Sequence, residues 1–255
     1  MITAIIPFYN ASKTIERAIK SILNQTLKPE KIIVVDDYST KEESNALGLI
    51  AEKYGIYVIK LTKNSGPSAA RNMGWSAAKT KYIAFLDSDD TWSSNKLEIC
   101  INYMEKNHAH IVGHQTATKN IGPNVTIHDL ARPHKKSYIL NKLDILVSTS
   151  QYAPSTVVIN NQAIAQRFDE TIRRSEDYRL WGNIHFGGHN LHRIKFALTT
   201  REDAHISGSG LSGNKKLLLE AHQKTINFFQ SNGHISKVTA IAAKIFLKLK
   251  YLRHK

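Results

Sequence analysis

The sequence predicts an α/β protein with a mostly parallel central sheet, helices on both faces and a helical segment at the C-terminal end. Short apolar runs rich in Ile and Val alternate with stretches of helical periodicity along the first half of the chain. Strands joined through helices lie parallel, and right-handed crossovers cover both faces of their sheet. The chain has 255 residues, of which 42% are hydrophobic, and this is enough for a substantial core.

The strands and helices follow in order from these patterns. Strands are predicted in the runs ITAIIPFYN, KIIVVDD, IYVIKL, YIAFLDSDD, HAHIVGHQTAT and STVVIN. We expect Pro7 to end the first strand, because proline cannot donate to a sheet ladder. Thr40 and Glu43 have the spacing of a capping box at the start of the second helix, which Gly55 ends. Residues 119–137 are polar and basic, which predicts a mobile loop, and a later helix begins after Ser175.

Polar residues cluster where four of the predicted strands end. The clusters are residues 7–10, 36–37, 64–71 and 87–90. Because the carboxyl ends of parallel strands meet at one rim, where open sheets bind ligands, we expect these clusters to form one site. No G-x-G-x-x-G motif follows the first strand, which argues against a nicotinamide or flavin cofactor.

The densest cluster contains the carboxylates of Asp87, Asp89 and Asp90. Crowded carboxylates raise one another's pKa unless a cation or several hydrogen-bond donors lie among them. A set of oxygen ligands favours Mg²⁺ or Mn²⁺. The alternative interpretation is a solvated acidic turn that caps the following helix.

The composition indicates an anionic partner, because the net charge is +14. Nucleic acid, acidic lipid and phosphorylated small molecules all satisfy this requirement. No apolar run approaches the ~20 residues needed to span a bilayer. The N-terminus begins with a strand pattern instead of a signal peptide, so we expect a cytoplasmic protein. The single cysteine, Cys100, excludes an internal disulfide.

Five blocks resemble the successive motifs of family 2 glycosyltransferases: IIPFYN, VVDDYS, NSGPSAARNMG, FLDSDD and FDETIRRSEDYRLW. The resemblance covers roughly residues 1–210 and implies an inverting enzyme with the nucleotide-binding GT-A fold. It predicts a nucleotide-sugar-binding half in residues 1–110, an acceptor-binding half in 111–213 and basic helices in 214–255. One departure is Tyr38, which stands where the family usually has Gly and would narrow the base pocket.

The resemblance implies a binding site for a UDP-sugar donor. Tyr9 offers an aromatic face to a base, and Asp37 accepts a hydrogen bond from the imide N–H of uracil. Pro7, Asn64 and Ser88 also belong to this nucleotide-sugar site.

The resemblance also assigns the diphosphate and metal contacts. Arg71 binds the diphosphate or fixes the aspartates, with a purely structural salt bridge as the alternative. Asp87 contacts the ribose or a metal-bound water, and Asp89 binds Mn²⁺ or Mg²⁺ directly. His205, in the glycine-rich segment REDAHISGSGLSGN, is a second candidate for metal binding, or else an exposed loop histidine.

Asp177 is implied to be the base that deprotonates the acceptor hydroxyl, with Glu176 as the secondary candidate. Acidic residues in the first turn of a helix also occur for capping and for their interaction with the helix dipole. This structural role is the alternative for Asp177.

The C-terminal segment carries nine Lys and Arg after Asn214. Large and small apolar residues share one helical face with lysines along its borders; they are Val238, Ile241, Ala242, Ile245, Leu249 and Leu252. Such a face either packs onto the domain or lies on an anionic membrane.

Together these features predict an inverting, metal-dependent transferase that moves a sugar from a UDP-sugar to a glycan or lipid-linked acceptor. We expect it to act in bacterial surface polysaccharide or lipopolysaccharide synthesis, in the cytoplasm or peripherally on the inner face of the cytoplasmic membrane. A nucleotidyltransferase acting on sugar phosphates and a basic nucleic-acid-binding protein are the alternatives. Carboxylates at the strand ends repel nucleic-acid phosphates, so no nucleic acid is expected as a partner.

Overall fold

The structure is a computed structural model that describes residues 1–117, 137–147, 152–201 and 214–253. Its strands are β1 (Ile2–Phe8), β2 (Lys31–Asp36), β3 (Tyr57–Lys60), β4 (Tyr82–Phe85), β5 (Thr91–Trp92), β6 (Ile111–Ala117), β7 (Ser137–Ile139), β8 (Val157–Asn160) and β9 (Leu191–Thr200). Its helices are α1 (Ser12–Leu23), α2 (Lys41–Tyr54), α3 (Pro67–Ala77), α4 (Lys96–Asn107), α5 (Lys142–Val147), α6 (Glu176–Phe186), α7 (Lys215–Ser231) and α8 (Lys237–Arg253).

One sheet joins all nine described strands in the order β3-β2-β1-β4-β8-β6-β9-β5, with β7 paired to β9. The strands β1 to β4 are mutually parallel. The strand β8 runs antiparallel to both of its neighbours, β4 and β6, whereas β6 and β9 are parallel to each other. Six of the nine strands therefore point the same way, and the prediction of a mostly parallel sheet is confirmed.

Alternate residues of the strands face two helical layers. Ala84 belongs to the cluster that packs against α1, α2 and α4, whereas Phe85 belongs to the cluster that contains Trp75 of α3 and Trp181 of α6. Because side chains alternate along a strand, the all-buried β4 needs apolar cover on both sides. The helices on both faces of the sheet supply this cover.

The prediction that Pro7 ends the first strand is wrong. The strand β1 continues to Phe8, and Pro7 lies in register with Val35 of β2. On the other side of β1, the ladder with β4 ends at the pair Ile5 and Phe85, so Pro7 lies beyond it. A proline is tolerated in this central strand because the neighbouring strand stops before its missing N–H would be needed.

The ends of α2 follow local sequence signals. The Thr40 hydroxyl accepts a hydrogen bond from the Glu43 amide at 3.4 Å. The Glu43 carboxylate does not return this bond in capping-box fashion but accepts from the amide of Ser12 at 2.8 Å, linking α2 to α1. At the other end, Gly55 adopts a left-handed φ of 65° and closes the helix.

The helices α7 and α8 pack on α5 and α6 through a third apolar cluster that includes Tyr178, Phe229 and Leu247. The buried face of α8 carries Ala240, Ala243 and Leu247. The apolar face identified from the sequence points the other way and is exposed, so packing onto the domain is not its role in the described structure. None of the helices among the described residues has the length and apolar content to cross a bilayer.

Two sequence predictions fall on residues that the structure does not describe. The predicted loop at 119–137 lies outside the described residues, apart from Ser137 at the start of β7. The glycine-rich segment around His205 lies within 202–213, which are also outside them.

Candidate functional site

Asp37 forms hydrogen bonds that connect β1, β2 and the segment before α3 at the rim of the sheet. Its amide donates to the Phe8 carbonyl at 2.8 Å, and its two carboxylate oxygens accept from the amides of Ser65 and Gly66, each at 2.7 Å. Asn64 donates its side-chain amide to the Asp37 carbonyl at 3.2 Å. The carboxylate is buried, and each oxygen keeps a second lone pair that can accept a ligand N–H.

Two aromatic rings are exposed beside this rim. Tyr9 follows β1 with 52% of its surface exposed, and Tyr38 follows β2 with 60% exposed. Tyr38 has a left-handed φ of 63°, a conformation that costs a non-glycine residue roughly 1–2 kcal/mol. This geometry explains why a glycine suits the position, and it leaves the tyrosine ring facing solvent next to the rim.

Arg71, on α3, joins two carboxylates that are far apart in the sequence. Its Nη2 donates to Asp87 Oδ1 at 2.7 Å, and its Nη1 donates to Glu176 Oε1 at 3.3 Å. The side chain is only 5% exposed, and its guanidinium lies 5.4 Å from the Phe168 ring centroid. Burial acts to lower the pKa of Arg71, but Asp87 and Glu176 outweigh it and hold the pKa above its ordinary value. Arg71 therefore forms ion pairs with both Asp87 and Glu176, and its role toward a diphosphate stays a prediction.

The three carboxylates after β4 lie in different environments. The Asp87 amide donates to the Ser155 hydroxyl at 3.0 Å. Asp90 is buried, and burial followed by repulsion from Asp87 raises its pKa to about 7. Asp89 is exposed, and its backbone carbonyl accepts from Arg17 Nη2 at 2.8 Å. Of the three, Asp89 is the exposed residue, and Ser88 lies partly buried between it and Asp87.

The described residues contain no group of three or more His, Cys, Asp or Glu that could hold a metal ion by themselves. Mg²⁺ and Mn²⁺ bound with a nucleotide need only one or two carboxylates, because waters and phosphate oxygens complete the coordination. Asp89 and Asp87 are the rim carboxylates that could take part in such a site. Asp87 has one oxygen engaged by Arg71 and keeps a second.

Asp177 lies in the first turn of α6, next to Glu176. It is partly buried, and its Oδ1 accepts from the Tyr178 amide at 2.7 Å. Burial, followed by the charge of Glu176, raises the pKa of Asp177 to about 7, although the Tyr178 amide and Arg71 act in the opposite direction. Ser175 does not cap the helix with its side chain, because it adopts a left-handed φ of 60° and makes no capping hydrogen bond.

The structure thus brings Arg71, Asp87, Glu176 and Asp177 into one charged group and places Asp37 and Asn64 in the adjoining rim. Two contributors are missing from the sequence prediction. Ser155 holds the Asp87 amide from a short helical turn before β8. The guanidinium of Arg173 lies over Gly66. A Cβ atom at position 66 would be only 2.7 Å from Nη1 of Arg173. The basic pair Arg173-Arg174 before α6 was the available signal for the second.

His185, His189 and His192 have helical spacing in the sequence, interrupted by the adjacent glycines Gly187 and Gly188, and the three histidines do not form a cluster. The helix α6 ends at Phe186, after His185, while His192 lies in β9 and contacts the Tyr103 hydroxyl at 3.1 Å. His189 stacks edge-on against His110. The adjacent glycines end the helix, as their sequence predicts.

Sequence comparison identifies relatives of the chain. The profile described as Glycosyl transferase family 2 matches residues 3–168. An uncharacterized glycosyltransferase of Rickettsia conorii is 37% identical over 185 residues, and the match covers 72% of this chain but 30% of the relative's length. The Escherichia coli UDP-Glc:alpha-D-GlcNAc-diphosphoundecaprenol beta-1,3-glucosyltransferase WfgD is 31% identical over 236 residues, which cover 91% of this chain and 87% of that protein.

Solved structures share the architecture. S. aureus TarS 1-349 in complex with UDP-GlcNAc superposes with a TM-score of 0.69 at 18% identity, over 95% of this chain and 70% of that one. The mannosyltransferase PcManGT from Pyrobaculum calidifontis, in complex with GDP-Man and Mn²⁺, gives 0.66 at 16% identity, over 98% and 70% of the two chains. At these identities the likeness shows the fold, and the predicted GT-A architecture is confirmed. On the profile match and the relatives together, the chain belongs to glycosyl transferase family 2.

Proposed function

We propose that the protein is an inverting, metal-dependent glycosyltransferase that moves a sugar from a UDP-sugar to a hydroxyl of a glycan or lipid-linked acceptor. The observation that carries the proposal is the pair of salt bridges that Arg71 makes with Asp87 and with Glu176, next to Asp177. It couples the strand-end rim, where the donor would bind, to a carboxylate whose pKa of about 7 suits proton abstraction near neutral pH.

In the proposed mechanism the donor lies along the rim. Tyr9 offers its exposed ring to the uracil, and Asp37 accepts from the imide N–H while it holds the turn before α3. Pro7, Asn64 and Ser88 remain the further candidates for contacts with the nucleotide sugar. A divalent ion, when bound at Asp89, would supply charge neutralisation to the leaving diphosphate.

Asp177 takes the proton of the acceptor hydroxyl as the hydroxyl oxygen attacks the anomeric carbon. The bond between that carbon and the diphosphate oxygen breaks in the same step, and UDP leaves. A single displacement inverts the anomeric configuration and requires the base and the leaving group on opposite sides of the sugar. Asp177 begins α6 whereas Asp87 and Asp89 follow β4, so the proposed base and the proposed metal-binding carboxylates come from different elements. Arg71 holds the two elements at a fixed separation, and Glu176 raises the pKa of the base.

The experiment is a transfer screen with nucleotide sugars and diphosphate-linked sugar acceptors, run with Mn²⁺ and with a chelator. UDP-sugars should be turned over in preference to GDP-sugars and only with the metal. The product should carry the inverted anomeric configuration by NMR. Retention of configuration, or equal turnover in chelator, would contradict the proposal.

We also infer that the exposed apolar face of α8 rests on an anionic membrane, on the inner side of the cytoplasmic membrane where a lipid-linked acceptor is within reach. The exposed fractions are 77% for Val238, 49% for Ile241, 56% for Ile245, 54% for Leu249 and 53% for Leu252. Lys237, Lys244 and Lys248 border this face on one side. Apolar side chains with basic borders favour the interface of a membrane that contains acidic lipids.

Vesicle sedimentation tests this surface. The protein should bind vesicles that contain phosphatidylglycerol, bind pure phosphatidylcholine weakly, and lose binding at high salt. Leu249→Glu should weaken vesicle binding by about tenfold or more, because it replaces an apolar side chain that the membrane would bury with a charged one. Leu49→Glu is the matched control, since Leu49 is 71% exposed on α2. Equal binding of the two variants would rule out α8 as the contact.

A further inference from the structure

A basic cleft lies between the segment that precedes α6 and the helix α7. Its volume is about 270 Å³, several times the ~30 Å³ that one water occupies in the liquid. Its lining includes the cationic side chains of Arg173, Arg174, Arg179 and Lys224, against one carboxylate, that of Glu220. The cleft therefore has room for an anionic group and the charge to attract one.

Part of this charge has a structural role. Arg179 Nη1 pairs with Asp169 Oδ2 at 2.7 Å, and its guanidinium lies 4.4 Å from the Phe228 ring centroid. Among the described residues, the cationic side chains of the lining are those of Arg173, Arg174, Arg179 and Lys224, and the carboxylates at the cleft are those of Glu220 and Asp169. Lys224 is exposed on α7 at the edge of the cleft, so its ammonium can turn toward a ligand. Thr171 and Thr225 add hydroxyls to the same lining.

The cleft adjoins the donor rim through Arg173. Arg173 lies over Gly66, whose amide is held by the Asp37 carboxylate in the donor rim. The segment that carries Arg173 and Arg174 leads directly into α6, where Asp177 occupies the first turn. The cleft thus shares Arg173 with the donor rim, and its lining comes from the segment before α6, from α6 and from α7.

We infer that this cleft binds the phosphate or diphosphate group of the acceptor. The inference rests on the proposed function and deepens it, because it assigns the acceptor to the class of phosphate-linked saccharides. Guanidinium groups donate paired hydrogen bonds to phosphate oxygens, and a lysine adds a mobile point charge. The diphosphate in the acceptor named for the related Escherichia coli enzyme belongs to this class.

Two sources of phosphate could occupy the cleft, the acceptor or the donor diphosphate, and calorimetry distinguishes them. The probes are inorganic pyrophosphate and UDP, each titrated separately. The variant is Lys224→Glu, whose exposed position leaves folding intact, with Lys224→Gln as the neutral form. The matched control is Lys79→Glu, because Lys79 is exposed just before β4, at the opposite rim from the strand ends.

Pyrophosphate should bind the parent protein and remain bound when UDP is present. Its affinity should fall by about tenfold or more in Lys224→Glu, less in Lys224→Gln and by under about twofold in Lys79→Glu. UDP affinity should be the same in all four proteins. Equal pyrophosphate affinity in Lys224→Glu and Lys79→Glu would overturn the inference. So would a matching loss of UDP affinity, which would assign the cleft to the donor diphosphate.

The binding assay needs no turnover. A protein that transfers no sugar yet shows this pattern would overturn the proposed activity while the phosphate site stands. Normal transfer without the pattern would overturn only the phosphate site.

Discussion

The dependence of turnover on pH tests the role of Asp177 most directly. Only the ionised carboxylate can take a proton, and burial with the charge of Glu176 raises its pKa to about 7. The rate should therefore be constant above this pH and fall by about tenfold for each unit below it. A carboxyl at the ordinary value of 3.8 would remain ionised far into the acid range.

The size of the effect follows from the ionised fraction. At pH 5.5, a carboxyl with a pKa near 7 is ionised in roughly 3% of molecules, whereas one at the ordinary value is almost fully ionised. The value of kcat/KM at fixed Mn²⁺ should then be about thirtyfold lower than at pH 8, because kcat/KM reports the pKa of the free enzyme. Calorimetry of UDP binding at the same pH values is the control that separates loss of the base from loss of the donor.

Two variants complete this test. Asp177→Asn keeps the size of the side chain and can still accept from the Tyr178 amide, so the helix should remain intact. Its turnover should fall by ~100-fold or more, since it cannot accept the proton. In Glu176→Gln the fall in rate on the acid side should begin at a lower pH, because the neighbouring charge that helps to raise the pKa of Asp177 is gone. A rate that stays level down to pH 5.5, or Asp177→Asn turnover within a few-fold of the parent, would refute the role as base.

Three further predictions concern the rim and the core. Asp89→Ala should abolish metal-dependent UDP binding, because it removes the proposed metal ligand; calorimetry with Mn²⁺ and with chelator checks this. Asp37→Ala should weaken uridine nucleotides more than others, and the ratio of affinities is the readout because loss of the Ser65 and Gly66 contacts affects every nucleotide. Burial lowers the pKa of Lys96 to about 7 from the 10.5 of an unfolded lysine. Between pH 7 and pH 10.5 the unfolded state binds more protons at Lys96 than the folded state does, so the free energy of unfolding rises with pH across this window. Below pH 7 the full cost of burying the cation is present. Lys96→Met should remove this rise and increase the free energy of unfolding at pH 7 by about 1–3 kcal/mol in urea titrations.

Local patterns were enough to predict the elements that build the rim. The strands that end at Asp36 and Phe85 and the left-handed Gly55 are encoded by short-range signals. Parallel topology then places their polar ends together without any knowledge of side-chain contacts. The insertion of β8 antiparallel between β4 and β6 has no such local signal, because strand order is decided by the packing of the whole sheet.

The helix α8 shows that the spacing of apolar residues in the sequence does not always predict which face of a helix is buried. Its largest apolar residues mark a face correctly, but the domain is contacted by the opposite face, which carries Ala240, Ala243 and Leu247. Two alanines allow close approach to α7 and α5, and they add little to an apolar pattern in the sequence. The two alanines and Leu247 therefore face the domain, whereas most of the larger apolar side chains of α8 are exposed.

The pairing of Arg71 with Glu176 could not be foreseen, since 105 residues separate them. It also decides which experiments can be interpreted. The guanidinium is buried between two carboxylates, so removing it would leave both uncompensated and destabilise the fold by about 3–5 kcal/mol. Loss of activity in an Arg71 variant would therefore not distinguish a direct contact with diphosphate from collapse of the site. Asp177 accepts one hydrogen bond from a backbone amide, and asparagine can accept the same bond. Substitution at Asp177 therefore removes the proton acceptor while the local structure is kept.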